Sequence, residues 1–283
     1  MAVFDCTYVN HDSTSVDLNG SDYKLLNPGP RGILQPMWRP KILRTPRKFP
    51  VGLYQESVSD QREIVVPLHI EGTSQSDLLA NIVALWDALT VDCRDGVLGT
   101  FTYVTANGTE RSIKCILGES ADINDWLLAG ENDAAHAKID LPLTCPDPTF
   151  YDDTAVEPSG AFSGTSNVNI SCANAGDADS YPTITITTGG VNTLENPSIT
   201  DAYGNVLAFE ETMAVSKVLV LTLSPQDLSM DYDSGTNWFE KRSKTSRLIV
   251  CKYGTNNLTF TADNAAANAT IAISFYSRYS KHG

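Results

Sequence analysis

Apolar and polar residues alternate along most of this chain of 283 residues. The alternation is clear at 64–70, 113–117 and 139–143, and it returns at 168–172 and 271–275. A strand with one apolar and one polar side is typical of a half-buried antiparallel sheet. Turn signals rich in Gly and Asn separate the alternating runs. The pattern therefore predicts a mainly β protein.

One segment has a helical period instead. Between residues 76 and 90 the apolar positions form one stripe, and Ser74 followed by Asp77 is a capping signal for its start. We predict a helix over 76–90 whose stripe packs on the sheet of the first domain, with Trp86 buried. Weak helical character at 123–129 is assigned to a loop. The stripe comprises Leu78, Leu79, Ile82, Leu85, Trp86 and Leu89.

A stretch rich in Pro, Gly and acidic residues at 150–162 is typical of a linker. It separates a first domain, 1–152, which we expect to be β-sandwich-like with one packed helix, from a second domain, 160–283. Turn signals every 8–12 residues in the second part indicate an all-β sandwich.

The chain carries 20 Lys and Arg against 34 Asp and Glu, a net charge of −14. This balance argues against the whole surface binding nucleic acid or an anionic membrane, and it leaves a local basic patch open as the alternative. No stretch approaches the roughly 20 apolar residues that span a bilayer, and the first residues lack the features of a signal peptide. We therefore predict neither a nucleic-acid partner nor membrane insertion.

The segment 31–50 differs from its surroundings because it contains six of the 20 basic residues and is rich in proline. Proline at this density limits sheet pairing and favours an extended, projecting arm. A basic arm in an acidic chain is suited to self-assembly, in which it would meet an acidic flank of a neighbouring subunit. A solvated loop is the alternative. The residues predicted to contact a partner are Arg39, Lys41, Arg44, Arg47 and Lys48.

Motifs for catalysis or cofactor binding are not found. The four histidines form no i, i+4 metal pair, and His69 lies out of phase with the apolar side of its strand. Neither a nucleophile elbow nor a phosphate loop occurs. The six cysteines are scattered, and Cys115 and Cys172 on apolar strand faces are interpreted as buried thiols. We predict no enzyme activity, no cofactor and no metal site.

Two further features have competing interpretations. The stretch 231–235 resembles the opening of a calcium loop, but its glycine comes one residue early, and a β-hairpin turn explains it better. Trp238 and Tyr253 are candidate contacts for a glycan, since exposed aromatic rings bind sugars, but aromatic residues in a sandwich are more often core.

The order of several short motifs resembles the distal tail protein family of long-tailed phages. The strand 65–72 leads into the helix, and the strand 139–145 is followed by an Asp-Pro-aromatic stretch at 147–151. Paired strands near 181–186 and 196–200, Asn-Trp-Phe at 237–239, and a closing hairpin over 253–279 follow in the same order. Tyr253-Gly254 stands where the family usually has Pro-Gly.

This resemblance implies a structural virion protein at the tail tip, assembled in the host cytoplasm. It implies six copies that form a ring through the first domain, with a galectin-like or carbohydrate-module-like second domain. The implied partners are the tail-tube protein on one side and tail-tip hub or fibre proteins on the other. No catalytic residues come with the family. A carbohydrate-binding module that contacts a host-surface glycan is the alternative function.

Overall fold

The computed structural model describes residues 5–26, 29–33, 38–43, 53–59, 61–104, 108–131, 135–163, 167–225, 227–264 and 268–280, with 38–43 and 53–59 described as backbone. The protein is mainly β, as the alternation predicts, with 52% of residues in strands and 13% in helices. It divides into two compact units, Met1–Tyr151 with Ser280–Gly283, and Asp152–Tyr279. No helix among the described residues combines the length and apolar character needed to cross a membrane.

The described residues of the first unit form two larger antiparallel sheets, a two-stranded hairpin and two helices. One sheet has the order β2-β1-β7-β8 and the other β3-β6-β9-β8, so β8 belongs to both. A hairpin of β4 and β5 forms a separate two-stranded sheet. The strands are β1 Cys6–Val9, β2 Ser15–Asp17, β3 Tyr23–Leu25, β4 Trp38–Leu43, β5 Leu53–Ser59, β6 Arg62–Glu71, β7 Gly99–Val104, β8 Glu110–Leu117, β9 His136–Cys145 and β10 Phe150–Val156, the last of which continues into the second unit.

The longest pairing in this unit joins β6 to β9. It runs from Arg62 opposite Cys145 to Glu71 opposite His136. The apolar side of β6 is fully buried, as its alternation predicts, while His69 on the other side is partly exposed. The buried apolar residues on that side are Ile64, Val66, Leu68 and Ile70, and the buried Arg62 precedes them on the same side.

Helix α1 spans Gln75–Asp95 and is five residues longer at its C-terminal end than the stripe predicts. Its buried positions contact β6, β8 and β9, so the predicted packing on the sheet is present. The buried residues are Leu78, Ile82, Leu85, Leu89 and Asp92. Asp92 occupies the next buried position of the helix, one turn beyond the apolar stripe. Because Asp is not apolar, the pattern in the sequence ends before it.

Two predictions around this helix are wrong. Trp86 is half-buried, and its ring meets Trp126 edge to face at 5.3 Å between centroids. Trp126 belongs to a second helix, α2 Ile123–Glu131, in the stretch assigned to a loop. The short helix lies against α1 and β9 and buries Trp126 to 5% exposure. Tertiary packing thus stabilises a helix too short to be stable alone.

The second unit is built from two larger antiparallel sheets, ordered β11-β22-β13-β18-β19-β20 and β12-β21-β15-β16. The pair β14-β17 is separate. The elements are β11 Ser159–Ser163, β12 Asn167–Asn174, β13 Thr183–Thr188, β14 Leu194–Glu195, β15 Ser198–Thr200, β16 Val206–Ala208, β17 Thr212–Met213, β18 Val218–Ser224, β19 Asp227–Tyr232, β20 Thr236–Asn237, a 3₁₀ turn Phe239–Lys241, β21 Gly254–Thr261 and β22 Asn268–Tyr279.

One apolar core joins the inner faces of both large sheets in this unit. Ile184 and Leu221 come from one sheet, and Ile170 and Leu258 from the other. Every second residue of β18 is buried, as the alternation requires for a sandwich strand. The stretch 150–162, expected to be a linker, instead contains β10 and most of β11.

Candidate functional site

The basic segment 31–50 contributes the first strand of a β-hairpin. Strand β4 pairs with β5 although Pro40 stands within it, opposite Ser57. The register shifts directly after Lys41, and such irregularities accommodate a residue that has no N–H to donate. Proline therefore restricts sheet pairing here less than its density predicts.

The hairpin positions only part of the predicted contact set. Arg39 stands opposite Val58 and Lys41 opposite Glu56 in the register of β4 and β5. Arg44, Arg47 and Lys48 lie outside the described residues. Partner contacts of all five residues stay a prediction.

Arg31 fixes the start of the basic segment to the first unit. Its backbone forms two hydrogen bonds with Val65 of β6, and its guanidinium donates to Asp140 of β9 at 2.7 Å. Both side chains are more than half exposed, so an ion pair of this kind contributes about 0–1 kcal/mol. The backbone pairing is therefore the more important attachment.

The second group of basic residues, near 241–252, has partners within its own unit. Lys241 bonds Glu211 at 2.8 Å and holds the pKa of that carboxyl below its usual range. Arg242 lies 4.6 Å from the centre of the Phe239 ring. Lys252 lies 4.1 Å from the centre of the Tyr203 ring.

Trp238 is not at the surface, so it cannot serve as a glycan contact in this conformation. It is 3% exposed and belongs to the sandwich core. Its indole stacks on the Tyr232 ring at 4.4 Å between centroids and lies 5.9 Å from Phe209. The β19–β20 turn folds the chain back so that Trp238 reaches Tyr232, a contact that strand alternation alone does not reveal.

Tyr253 is the other glycan candidate, and it is 71% exposed. The neighbouring Lys252 covers the ring of Tyr203, which is itself 54% exposed. Tyr276 on β22 is 48% exposed. The second unit therefore presents aromatic rings at its surface, but not the pair named from the sequence.

The calcium-like stretch forms the turn between β19 and β20. Asp231 pairs with Asn237 and Tyr232 with Thr236, and both Asp233 and Ser234 have positive φ. The Asp233 carboxylate accepts a hydrogen bond from the Lys217 ammonium, which raises the pKa of that lysine. The Asp233 carboxylate thus has the Lys217 ammonium as its partner, as is common in a solvent-exposed hairpin turn.

A buried polar network, which the sequence pattern does not reveal, closes the C-terminal end of α1. The Asp92 carboxylate is fully buried and accepts a hydrogen bond from the Tyr8 hydroxyl of β1. Its other oxygen accepts the His11 backbone N–H at 2.9 Å and lies 2.7 Å from His11 Nδ1. Burial, together with this bond, raises the pKa of Tyr8. A Cβ added at Gly99 would lie 2.3 Å from both Asp92 Oδ2 and the Tyr8 hydroxyl, so the network leaves no room for a substrate.

The ring of His11 lies among three carboxylates. Its Nδ1 faces Asp92, and its Nε2 lies 3.2 Å from both Asp12 and Asp95. The bond to Asp92 raises the pKa of His11 above its ordinary value of 6.5. Both ring nitrogens of His11 therefore face carboxylate oxygens of the same unit.

Cys115 and Cys172 are fully buried thiols, as predicted. Each contacts another buried cysteine, Cys145 and Cys251 respectively. Burial raises the pKa of Cys115 well above its ordinary value, so this thiol lacks the thiolate character of a nucleophile.

Comparison with known proteins gives a clear result for the fold. No protein-family model and no curated protein matches the sequence. Among solved structures, the SPP1 Dit (gp 19.1) protein matches with a TM-score of 0.68 at 17% identity, over 96% of this chain and 98% of that one. The chain has the Dit fold. The resemblance to distal tail proteins is thereby confirmed at the level of the fold.

A second solved structure supports the same fold more weakly. A chain of the phage P2 baseplate, in its activated conformation with calcium, matches with a TM-score of 0.50 at 12% identity. The match covers 96% of this chain and 98% of the baseplate chain. The SPP1 protein is described as a paradigm of the hub adsorption apparatus in phages that infect Gram-positive bacteria.

Proposed function

We propose that this chain is a structural protein of a phage tail tip, a distal tail protein. The observation that carries the proposal is the Dit fold over nearly the full length of both chains, 96% and 98%. Both units are included in that correspondence, so it is not the likeness of one common sandwich. The closed network at Asp92 and the buried thiols are consistent with a role without catalysis.

In the proposed assembly, six copies form a ring through their first domains. The charge distribution supports self-association. Segment 31–50 carries six basic and no acidic residues, so the remainder of the chain has a net charge of −20. A basic hairpin of one subunit can therefore meet an acidic flank of the next, and such complementarity fixes the register of an interface.

The ring joins the tail-tube protein on one side to tail-tip hub or fibre proteins on the other. Its location is the tip of the virion tail, and it assembles in the host cytoplasm. The support for these partners is the fold shared with a hub protein and with a chain of a baseplate.

A charge-reversal variant tests the ring and the basic segment together. Arg44, Arg47 and Lys48 are changed to Glu, and assembly is measured by light scattering after size-exclusion chromatography. We expect folded subunits with weakened ring formation, and a milder defect at high salt because salt screens the new repulsion. The matched control reverses the exposed residues Lys244, Arg247 and Lys252, which should leave assembly unchanged. Equal assembly of the two variants at low salt contradicts a role for the segment.

A second candidate function is glycan binding by the second domain, and the exposure of Tyr253 favours it. A flat aromatic ring in solvent can stack on a sugar. A glycan array with the full chain tests this candidate, with Tyr253→Ala as the variant and Tyr276→Ala as the control. Binding that only Tyr253→Ala abolishes supports a glycan site, and binding unaffected by the change at Tyr253 contradicts it.

A further inference from the structure

Three potential metal ligands meet on the outer side of the β6–β9 pair. Glu71 of β6 stands directly opposite His136 of β9, and His69 lies two residues earlier on β6. His69 Nε2 is 3.4 Å from His136 Nδ1 and 3.5 Å from Glu71 Oε1. One ligand atom from each of the three residues lies within 4.8 Å of the other two.

These distances match the edges of a small coordination polyhedron. Zinc bonds to His nitrogen and carboxylate oxygen are about 2.0–2.2 Å long, so neighbouring ligands of a tetrahedral site are about 3.3–3.5 Å apart. The two closest separations in the cluster, 3.4 and 3.5 Å, have that length. Two imidazole nitrogens facing each other at this distance can share at most one proton, so at least one lone pair points into the space between them.

Lys24 bonds one oxygen of the Glu71 carboxylate and leaves the other oxygen facing His69. Lys24 of β3 donates to Glu71 Oε2 at 2.6 Å, and Oε1 of the same carboxylate faces His69. An outer hydrogen bond to a ligating carboxylate is a common feature of metal sites.

We propose that His69, Glu71 and His136 bind a divalent transition-metal ion of the zinc class. Two imidazoles with one carboxylate suit zinc better than magnesium or calcium, which prefer oxygen ligands. His136 is exposed, and the side chains of His69 and Glu71 are 21% and 33% exposed. The fourth position therefore faces solvent, and water fills it in the isolated subunit.

The linear sequence conceals this cluster because His136 on β9 is 65 residues from Glu71 and 67 residues from His69 on β6. A search for i, i+4 pairs finds helical metal sites only. On a strand, residues i and i+2 share a face, and the β6–β9 register supplies the third ligand. The proposal rests on the geometry of the cluster and is independent of the assembly role.

Zinc titration of tag-free, metal-stripped protein by calorimetry tests the site. We expect a single zinc ion to bind per chain, and His69→Gln or His136→Gln to weaken binding by at least about tenfold, the effect seen even for outer hydrogen-bond partners of metal ligands. His11→Gln is the matched control, because His11 lies outside the cluster, and this variant should bind zinc like the parent. With Co²⁺ in place of zinc, the parent should show the intense visible absorption of a four-coordinate ion.

A second measurement needs no variant. Diethyl pyrocarbonate modifies accessible histidines, and mass spectrometry locates the label. Zinc should protect His69 and His136 from the reagent and leave the labelling of His11 unchanged. Equal labelling of His69 and His136 with and without zinc, or zinc binding that only His11→Gln abolishes, would overturn the proposal.

Discussion

The two ends of helix α1 are stabilised in different ways. At the N-terminal end, the Ser74 hydroxyl accepts the Asp77 N–H at 3.2 Å, and the Asp77 carboxylate accepts both the N–H and the hydroxyl of Thr73. All these groups lie within four residues and close to solvent. At the C-terminal end, the N–H of Gly96 caps the helix locally, and in addition the buried Asp92 carboxylate bonds Tyr8 and His11, which are more than 80 residues away in the chain.

This difference teaches what each end contributes. A local cap determines where the helix begins, and it can form in an isolated peptide. The Asp92 network requires β1 and the helix to be packed together, so it connects the helix to the sheet. We therefore expect changes at the C-terminal end to cost more stability than changes at the N-terminal end.

The largest effect is expected for Asp92→Ala. Removing the carboxylate leaves the Tyr8 hydroxyl and the His11 ring without their buried partner, and breaking a buried charged pair costs about 3–5 kcal/mol. The free energy of unfolding can be measured in urea by fluorescence, since Trp86 and Trp126 lie on the two helices. The control is Asp95→Ala at an exposed carboxylate, with an expected loss under about 1 kcal/mol. If Asp92→Ala and Asp95→Ala lower the unfolding free energy equally, the buried carboxylate contributes no more than the exposed one, and the expectation is wrong.

A smaller effect is expected for Tyr8→Phe. The ring remains packed while the bond to the Asp92 carboxylate is lost, and hydrogen bonds to charged groups contribute about 1.5–3 kcal/mol. Urea unfolding again provides the measurement. Tyr253→Phe, at an exposed tyrosine in the second unit, should leave the stability unchanged. A loss as small as that of the control would show that the Tyr8 hydroxyl does not bond Asp92.

At the other end of the helix, Ser74→Ala should cost about 1 kcal/mol, the usual loss for an N-cap residue. Ser76→Ala, two residues into the helix and exposed, is the control and should have no measurable cost. If Ser74→Ala destabilises the protein more than Tyr8→Phe does, the ranking of the two ends is reversed.

The smallest effect is a pH dependence at His11. Because the folded state raises the pKa of His11 above 6.5, folding binds the proton more tightly, and the resulting stabilisation is fully present below that value. It is lost as the pH rises through the raised pKa. The difference in unfolding free energy between the parent and His11→Gln should therefore shrink as the pH rises above about 6.5. A constant difference would mean that the pKa of His11 is the same in both states.

The same contrast explains how much of the fold the sequence predicts. The strand alternation and the helix start depend on neighbours in sequence, and both agree with the structure. The helix α2 depends on its contact with Trp86, which no local pattern contains. The end of α1 has a local signal, because Gly96 follows Asp95 with a left-handed backbone and its N–H bonds the Asp92 carbonyl. Gly96, a residue type common directly after the end of a helix, was the available signal for the longer helix.

For the functional residues the sequence is less informative. Tyr253 is exposed whereas Trp238 is buried. The burial of Trp238 follows from the way the β19–β20 turn folds the chain back onto Tyr232. The meeting of His69 with His136 follows from strand register, which period-two alternation does not determine. The basic segment is evident from composition, whereas its pairing through β4 and β5 is not.

The central proposal, that this chain is a ring-forming tail-tip protein, is tested most directly by negative-stain electron microscopy of the purified protein. The account predicts closed rings of six subunits, with a mass by light scattering that corresponds to six chains. A population of monomers only, at concentrations well above those used on the grid and at low salt, would contradict it.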